Sequence, residues 1–218
     1  MISTALLVAG KDLRVEARSR VLLWQVVPFG VMALLLSGLA LGSVHAGHSD
    51  AAPGLFYLVV VLVALLMINR SVAIERRPGT RASVATLGLD PAGVFLGKAL
   101  ALAVELWLTA VVLLAGAVLF LHTALRGTVE AVPSVVATIA ALAVAGTLYG
   151  ALSAGSATAT LLPLVALPAF APLLIAGERS FVAALHGHAL WEWWLIVTVA
   201  LVAYLAVGIL LYGVLEDS

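Results

Sequence analysis

Long apolar stretches separated by short polar ones dominate the chain, and their lengths predict helices that cross a membrane. A bilayer core requires about 20 predominantly apolar residues in a helix. Six stretches approach or exceed this length: residues 21–42, 54–74, 98–122, 132–153, 160–177 and 190–213. The pattern therefore predicts one all-α domain over residues 1–218, a polytopic membrane protein with six transmembrane helices.

The segment before the first span has a different pattern, because charged residues recur in it at helical spacing. Over residues 3–19, cations fall on one side of a helix and apolar residues lie roughly opposite. The cations are Lys11, Arg14 and Arg18, and the apolar residues are Leu6, Leu13 and Ala17. This amphipathic pattern predicts a helix at the membrane interface.

Prolines and small residues predict irregularities within the spans. Pro28 lies inside the first span and predicts a bend there. Residues 131–177 carry no charge and are about twice as long as one span requires, so the chain must turn near residues 153–160. The fifth span is predicted to be kinked or broken, and Glu178 to His188 to form an exterior loop. The prolines of the fifth span are Pro163, Pro168 and Pro172.

The central segment from Asn69 to Pro91 collects four of the eleven cations. Charges at this density are too costly to hold in lipid, so the segment must face water or a partner. Pro78 and Gly79 predict a turn, followed by a short surface helix that ends near Gly88. Both an ordinary solvated loop and a docking surface for a soluble partner fit this pattern.

The composition agrees with a membrane protein and excludes several functions. Charged residues make up 10% of the chain, against about 25% in soluble domains, and the mean hydropathy is +1.20. The formal net charge is zero, which argues against nucleic acid as a partner. Cysteine is absent, which excludes disulfides and thiolate metal sites.

The cations are distributed unevenly between the two sides of the predicted bundle. Six spans place both termini and the central segment on one side, together with nine of the eleven cations. Arg126 and Arg179 lie on the other side. By the positive-inside rule, the cation-rich side is predicted to be cytoplasmic.

Two motifs in and after the central segment resemble the CcmB family of type-2 ATP-binding-cassette (ABC) exporter permeases. These motifs are L-L-M-I-N-R-S-V-A-I-E-R-R-P-G-T and L-x-L-D-P-A-G-V-F-L-G-K-A-L. The N-terminal K-D-L-R-V-E-A-R-S-R and the proline-bearing fifth span are also similar to this family. The resemblance implies the haem exporter permease of cytochrome c maturation, with a short cytoplasmic coupling helix between spans 2 and 3.

The resemblance also implies partners and a location. It implies a non-catalytic, multi-pass subunit of the bacterial cytoplasmic (inner) membrane, with a separate ATP-binding subunit, CcmA, and CcmC-like, CcmD-like and CcmE-like proteins. ATP would bind to CcmA, since this chain lacks the G-x-x-x-x-G-K-[ST] loop that cradles phosphates. The implied contacts to CcmA are Glu75, Arg76, Arg77, Gly79, Thr80, Val84 and Leu87.

Glu105 is a charged residue predicted to lie inside the third span, away from its ends. A carboxylate there costs about 2.5 kcal/mol or more on insertion scales, so it should face a helix interface or a wet cavity. A gating or coupling role is open, and so is a structural acid that is either protonated or paired with Lys98 through a second group or a water molecule.

The histidines are the remaining candidates, because histidine is a common axial ligand of haem iron. All five lie in predicted exterior loops or at the outer end of a span, where polar residues are expected in any case. They are His45, His48, His122, His186 and His188. No carboxylate or cysteine accompanies them in a metal-site pattern, so no metal site is predicted. Haem contact by His45, His48, His186 or His188 is a weak hypothesis.

Two other functions compete with haem export. An ABC exporter permease for a lipid or a drug-like substrate would have the same span pattern. A membrane-embedded enzyme would need paired carboxylates or a histidine-rich motif at mid-membrane depth, and the sequence shows neither.

Overall fold

The computed structural model describes residues 1–41, 51–75, 90–154 and 162–216, and within these ranges it is helical and has no strand. A π-helical segment, Leu22–Val26, joins the first two helices directly. The helices are α1 (Ile2–Ser19), α2 (Val27–Leu41), α3 (Ala51–Glu75), α4 (Pro91–Phe120), α5 (Leu125–Ala154), α6 (Leu162–Leu185) and α7 (Trp191–Glu216).

Six helical stretches are long and apolar enough to cross a membrane, which confirms the predicted fold class. The π-helical segment and α2 form the first of these stretches, and α3 to α7 provide the other five. Their mean hydropathies run from 1.2 to 2.6. The chain is therefore a multi-pass membrane protein built from helices.

The core lies between α3, α4, α5 and α6. Its largest fully buried side chains include Phe56, Leu113, Ile139 and Phe170, one from each of these helices. In contrast, α2 and α7 lie at the edge of the bundle, and few of their residues are buried. Because lipid is as apolar as these side chains, such exposure is compatible with a membrane environment.

Helix α1 packs along the first turns of α4 through small residues. A Cβ atom added at Gly97 would lie 2.6 Å from the Ala5 carbonyl oxygen and 2.7 Å from the Val8 Cβ atom. The missing side chain thus lets the two backbones approach closely. The buried face of α1 consists of Ala5, Val8 and Ala9.

This packing adds a buried face of α1 that the sequence did not predict. Leu6 is 60% exposed and Ala17 is also exposed, so the predicted apolar side points away from the protein, and the helix buries Ala5, Val8 and Ala9 instead. The physical reason is that α4 offers a glycine surface, which small side chains fill better than large ones. The predicted cationic face is exposed, as expected for Lys11, Arg14 and Arg18.

The π-helical segment ends at Val26, two residues before Pro28. Proline lacks an N–H group and its ring crowds the carbonyl group four residues earlier. A wider turn relieves this conflict: the Val27 N–H bonds to the Leu22 carbonyl, five residues earlier. The irregularity predicted at Pro28 is therefore present as a π-helical turn.

Helix α6 differs from the prediction in two respects. It is unbroken although Pro168 and Pro172 lie inside it, and it continues past Glu178 to Leu185. Of the two predicted forms of the fifth span, kinked or broken, the broken form is thus wrong, whereas the kink stays a prediction. The predicted exterior loop from Glu178 to His188 is also wrong, because α6 runs to Leu185. A helix is free to extend beyond the hydrocarbon, and charged residues do not by themselves end it.

Candidate functional site

The end of the bundle that contains Arg70 holds an ion pair between helices distant in sequence. The Arg70 Nη1 atom lies 2.7 Å from Oε2 and 2.8 Å from Oε1 of Glu16, so one carboxylate faces the guanidinium with both oxygens. Only 11% of the Glu16 side chain and 26% of the Arg70 side chain are exposed. The pair therefore joins α1 to the last two turns of α3 in partly desolvated surroundings, where it is stronger than on an open surface.

The same two side chains also organise the junction between α1 and the first span. Arg70 Nη2 donates to the Ser19 hydroxyl at 2.9 Å, and the Leu22 N–H donates to Glu16 Oε1 at 2.8 Å. Arg20 between them has a left-handed backbone (φ 55°) and donates its N–H to the Glu16 carbonyl. The Glu16 carboxylate thus accepts a hydrogen bond from the Leu22 N–H at the start of the first span, and it holds α1 and this span in a fixed relative orientation.

A second contact ties the opposite end of α1 to the start of α4. Asp90 caps α4 by accepting a hydrogen bond from the Gly93 N–H at 3.1 Å, and its Oδ2 atom lies 3.3 Å from the Met1 nitrogen. A Cβ atom at Gly93 would lie 2.8 Å from the Thr4 Cβ atom, so the fit is close here as well. Asp90 is the first described residue after position 75.

Helix α1 therefore contacts both ends of the central segment. Glu16 binds Arg70 at its beginning, near the end of α3, and Met1 contacts Asp90 at its end. The 15 residues between these contacts span about 22 Å at the helical rise of 1.5 Å per residue. We call α1 with these two contacts the strut, because it links the two ends of the segment as a rigid element.

Glu105 lies in α4 on the same side of the bundle as the strut. It is half-buried, and the charged groups that act on it are Glu16, Arg70 and Asp12. Its carboxylate has no hydrogen bond or ion pair with any residue that the structure describes. Glu105 is thus a partly buried acid inside a span, and its position at a helix interface or a wet cavity stays a prediction.

The structure does not pair Lys98 with Glu105. The Lys98 amine donates to the Tyr212 hydroxyl at 2.9 Å and lies 5.7 Å from the centre of its ring. This contact joins α4 to the end of α7. Lys98 thus binds Tyr212, and both a gating or coupling role and a structural role for Glu105 remain predictions.

The residues predicted to contact an ATP-binding subunit fall largely outside the described ranges. Glu75 is the last residue of α3, directly after the strut contact of Arg70. Arg76, Arg77, Gly79, Thr80, Val84 and Leu87, together with the predicted coupling helix, lie outside the described residues. Their roles remain predictions.

The described histidines lie at helix ends, where they take part in the capping geometry. Gly187 (φ 68°) ends α6, with the His188 N–H bonded to the Ala183 carbonyl at 2.8 Å. The rings of His186 and His188 stack 5.9 Å apart across this glycine. His122 has a left-handed backbone (φ 55°) just after α4. His45 and His48 lie outside the described residues.

Sequence reasoning missed Glu16 and Ser19 as partners of Arg70. Before the structure, Arg70 is only one of the four cations of the central segment. The position of Arg70 was itself a signal. An arginine near an apolar span favours a partner of opposite charge, and here a distant segment provides the carboxylate. The sequence did not show which of the two acids of α1, Asp12 or Glu16, is that partner.

One comparison with known proteins identifies relatives of the chain. A family model described as CcmB protein matches residues 2–212. No curated protein matches the chain.

Proposed function

We propose a function for this chain from the premise that it belongs to the CcmB family, to which the match over residues 2–212 assigns it. The chain is the membrane-spanning permease subunit of an ABC transporter that exports haem for cytochrome c maturation. A six-span bundle that matches the family over nearly its whole length is the observation that carries this proposal. The complex lies in the bacterial cytoplasmic membrane.

ATP is bound and hydrolysed by a separate, CcmA-like subunit that docks on the central segment. The strut supports this role, because Arg70 and Asp90 each contact one end of α1. A movement of the segment between them, caused by the ATP-binding subunit, would therefore also move α1. The first span follows α1 directly, so its position depends on the strut. Helix α3, which precedes the central segment, is itself a span.

The docking proposal is tested by a double variant in the central segment, Gly79→Val with Leu87→Asp. We expect it to insert into the membrane at normal levels and to lose co-purification with the ATP-binding subunit. The matched control is Gly54→Val with Leu58→Asn in α3, because Gly54 has open space around it and Leu58 is exposed. Normal complex formation by the central-segment variant would contradict the proposal.

Both termini and the central segment face the cytoplasm in this proposal, as the distribution of cations predicts. The chain has no cysteine, so single cysteines report accessibility cleanly. In intact cells, a membrane-impermeant thiol reagent should label Cys introduced at position 186 and leave position 81 unlabelled. The opposite labelling pattern would reverse the orientation.

Haem is the cargo of the complex, and another subunit ligates its iron. The capping geometry of His122, His186 and His188 supports this division, since it accounts for these residues without a ligand. A variant with all five histidines changed to Ala should keep both the haem content of the complex and the yield of mature cytochrome c. Glu75→Ala should lose the yield and keep the haem. A histidine variant that assembles normally and loses its haem would contradict the division.

A further inference from the structure

We propose that the exposed face of α1 binds an anionic phospholipid, with the lipid phosphate group between Arg14 and Arg18 beside the first span. The two arginines are four residues apart on one helix, so they lie on the same face at a rise of about 6 Å. The inference requires that the chain crosses a membrane, and it does not depend on the cargo or on an ATP-binding subunit.

The positive charge of this face is not balanced within the protein. Both acids of α1 already have cationic partners, Asp12 with the Lys11 amine at 3.1 Å and Glu16 with the Arg70 guanidinium at 2.7 Å. The two arginines of the face are exposed, and their side chains form no ion pair or hydrogen bond with any residue that the structure describes. An anion from outside the chain therefore matches this face in charge.

The connection between α1 and the first span places this face at the membrane surface. The first membrane-crossing stretch begins at Leu22, four residues after Arg18, which corresponds to about 6 Å of helix. The lipid headgroup region extends about 5–8 Å beyond the hydrocarbon on each side. Trp24, in the first turn of this stretch, is 74% exposed, as is typical of tryptophans at the boundary between lipid and water. Arg18 is therefore held at the level of the lipid phosphates.

The apolar neighbours of the arginines favour a lipid over a soluble anion. Leu7 is 70% exposed and precedes Arg14 by seven residues and Arg18 by eleven, so the three side chains share one face of α1. Leu6, next to this face, is 60% exposed. Water is unfavourable for the leucines, and hydrocarbon is unfavourable for the arginines. The boundary between headgroups and acyl chains suits both, and an anionic lipid provides a phosphate group together with apolar surface.

The proposal predicts a preference for anionic lipid that depends on the two arginines. Phosphatidylglycerol or zwitterionic phosphatidylcholine is titrated into the purified full chain in a neutral detergent, and native mass spectrometry measures the fraction of the chain with bound lipid. We expect the wild-type chain to bind phosphatidylglycerol more tightly. Arg14→Gln with Arg18→Gln should lower that affinity about tenfold or more, because the attraction of each cation to an anionic headgroup corresponds to about fivefold in binding.

Two control variants separate this site from a general effect of positive charge. Arg126→Gln with Arg179→Gln also removes two cations, but each of these arginines lies beside an acid of its own helix, so the affinity for phosphatidylglycerol should stay unchanged. Arg14→Lys with Arg18→Lys keeps both charges and should retain most of the binding. An equal loss of affinity in the Arg126 control and in the glutamine variant of α1 would overturn the proposal.

The wild-type chain alone also decides the proposal, even if a variant fails to assemble. Equal affinities for phosphatidylglycerol and phosphatidylcholine would overturn it. Glycerol phosphate, a soluble analogue of the headgroup, distinguishes a lipid from a free phosphate compound. It should not displace the bound lipid when both are present at the same concentration, and displacement would mean that the face binds soluble anions instead of a lipid.

Discussion

The two ends of the helical bundle use their charges differently. At the end that contains Arg70, polar contacts join elements far apart in the sequence: Arg70 to Glu16, 54 residues away, and Lys98 to Tyr212, 114 residues away. At the end that contains Arg126, the described ion pairs are local, Arg126 with Glu130 and Arg179 with Glu178. Charged residues thus join separate helices at the Arg70 end, whereas the described ion pairs at the Arg126 end each lie within one helix.

The difference shows where the fold is able to transmit movement. A local pair such as Arg126–Glu130 belongs to one helix and stabilises it by about 0.3–0.5 kcal/mol at most. The Arg70–Glu16 pair fixes the position of one helix relative to another, so a change in the pair moves an element. The Arg70 end is also where the central segment leaves α3 and enters α4.

Arg70→Ala tests this comparison with the largest expected effect. The substitution leaves Glu16, which is 11% exposed, without its cation, and we expect a loss of about 3 kcal/mol in the free energy of unfolding. Chemical unfolding in detergent micelles measures this loss. The matched control is Arg126→Ala, whose side chain is 92% exposed and should change stability by less than about 0.5 kcal/mol. Equal effects at the two arginines would remove the distinction between the ends.

Gly97→Ala sharpens the comparison by loosening the strut while every charge stays in place. The added methyl group would meet the Ala5 carbonyl oxygen at 2.6 Å, a backbone atom that cannot turn aside, and we expect a loss of about 1–3 kcal/mol. Gly10→Ala in α1 is the control, because no atom lies within 4 Å of its added methyl group. That change should stabilise the helix by about 0.5–1 kcal/mol. The two variants should shift the unfolding midpoint in opposite directions, and a stabilised Gly97 variant would show that α1 is not docked on α4.

Tyr57→Phe examines the Arg126 half of the bundle and has the smallest expected effect. The Tyr57 hydroxyl is buried and has no hydrogen-bond partner among the described residues, and the same is true of the Thr138 hydroxyl. Removing a buried, unpaired hydroxyl should leave stability unchanged or raise it by about 1 kcal/mol. Trp194→Phe is the contrast, since it removes a 2.7 Å hydrogen bond to Ser134 and should lower stability. If Tyr57→Phe lowered the stability, the wild-type Tyr57 hydroxyl would have a hydrogen-bond partner in the membrane, and the prediction would be wrong.

The sequence alone determined the membrane class, the helical fold and the number of spans. The length of each apolar stretch determines these properties. In lipid, every backbone N–H and C=O group needs a hydrogen-bond partner within the protein, and a helix provides these partners within one segment. It also placed the start of α4 at Asp90 and Pro91, since capping depends on neighbouring residues. The prediction failed where a signal was ambiguous: Glu178 suggested a loop, but α6 continues through it to Leu185.

The tertiary structure decided which faces meet and which charges pair. Periodicity placed Leu6 on the apolar side of α1, but only the shape of the neighbouring α4, with its glycines, shows that Ala5 and Val8 are buried against it. The sequence likewise shows Glu16 and Arg70 as two separate charges. They become a pair only when α1 and α3 pack together, because Coulomb attraction depends on distance in space and carries no trace in local sequence patterns.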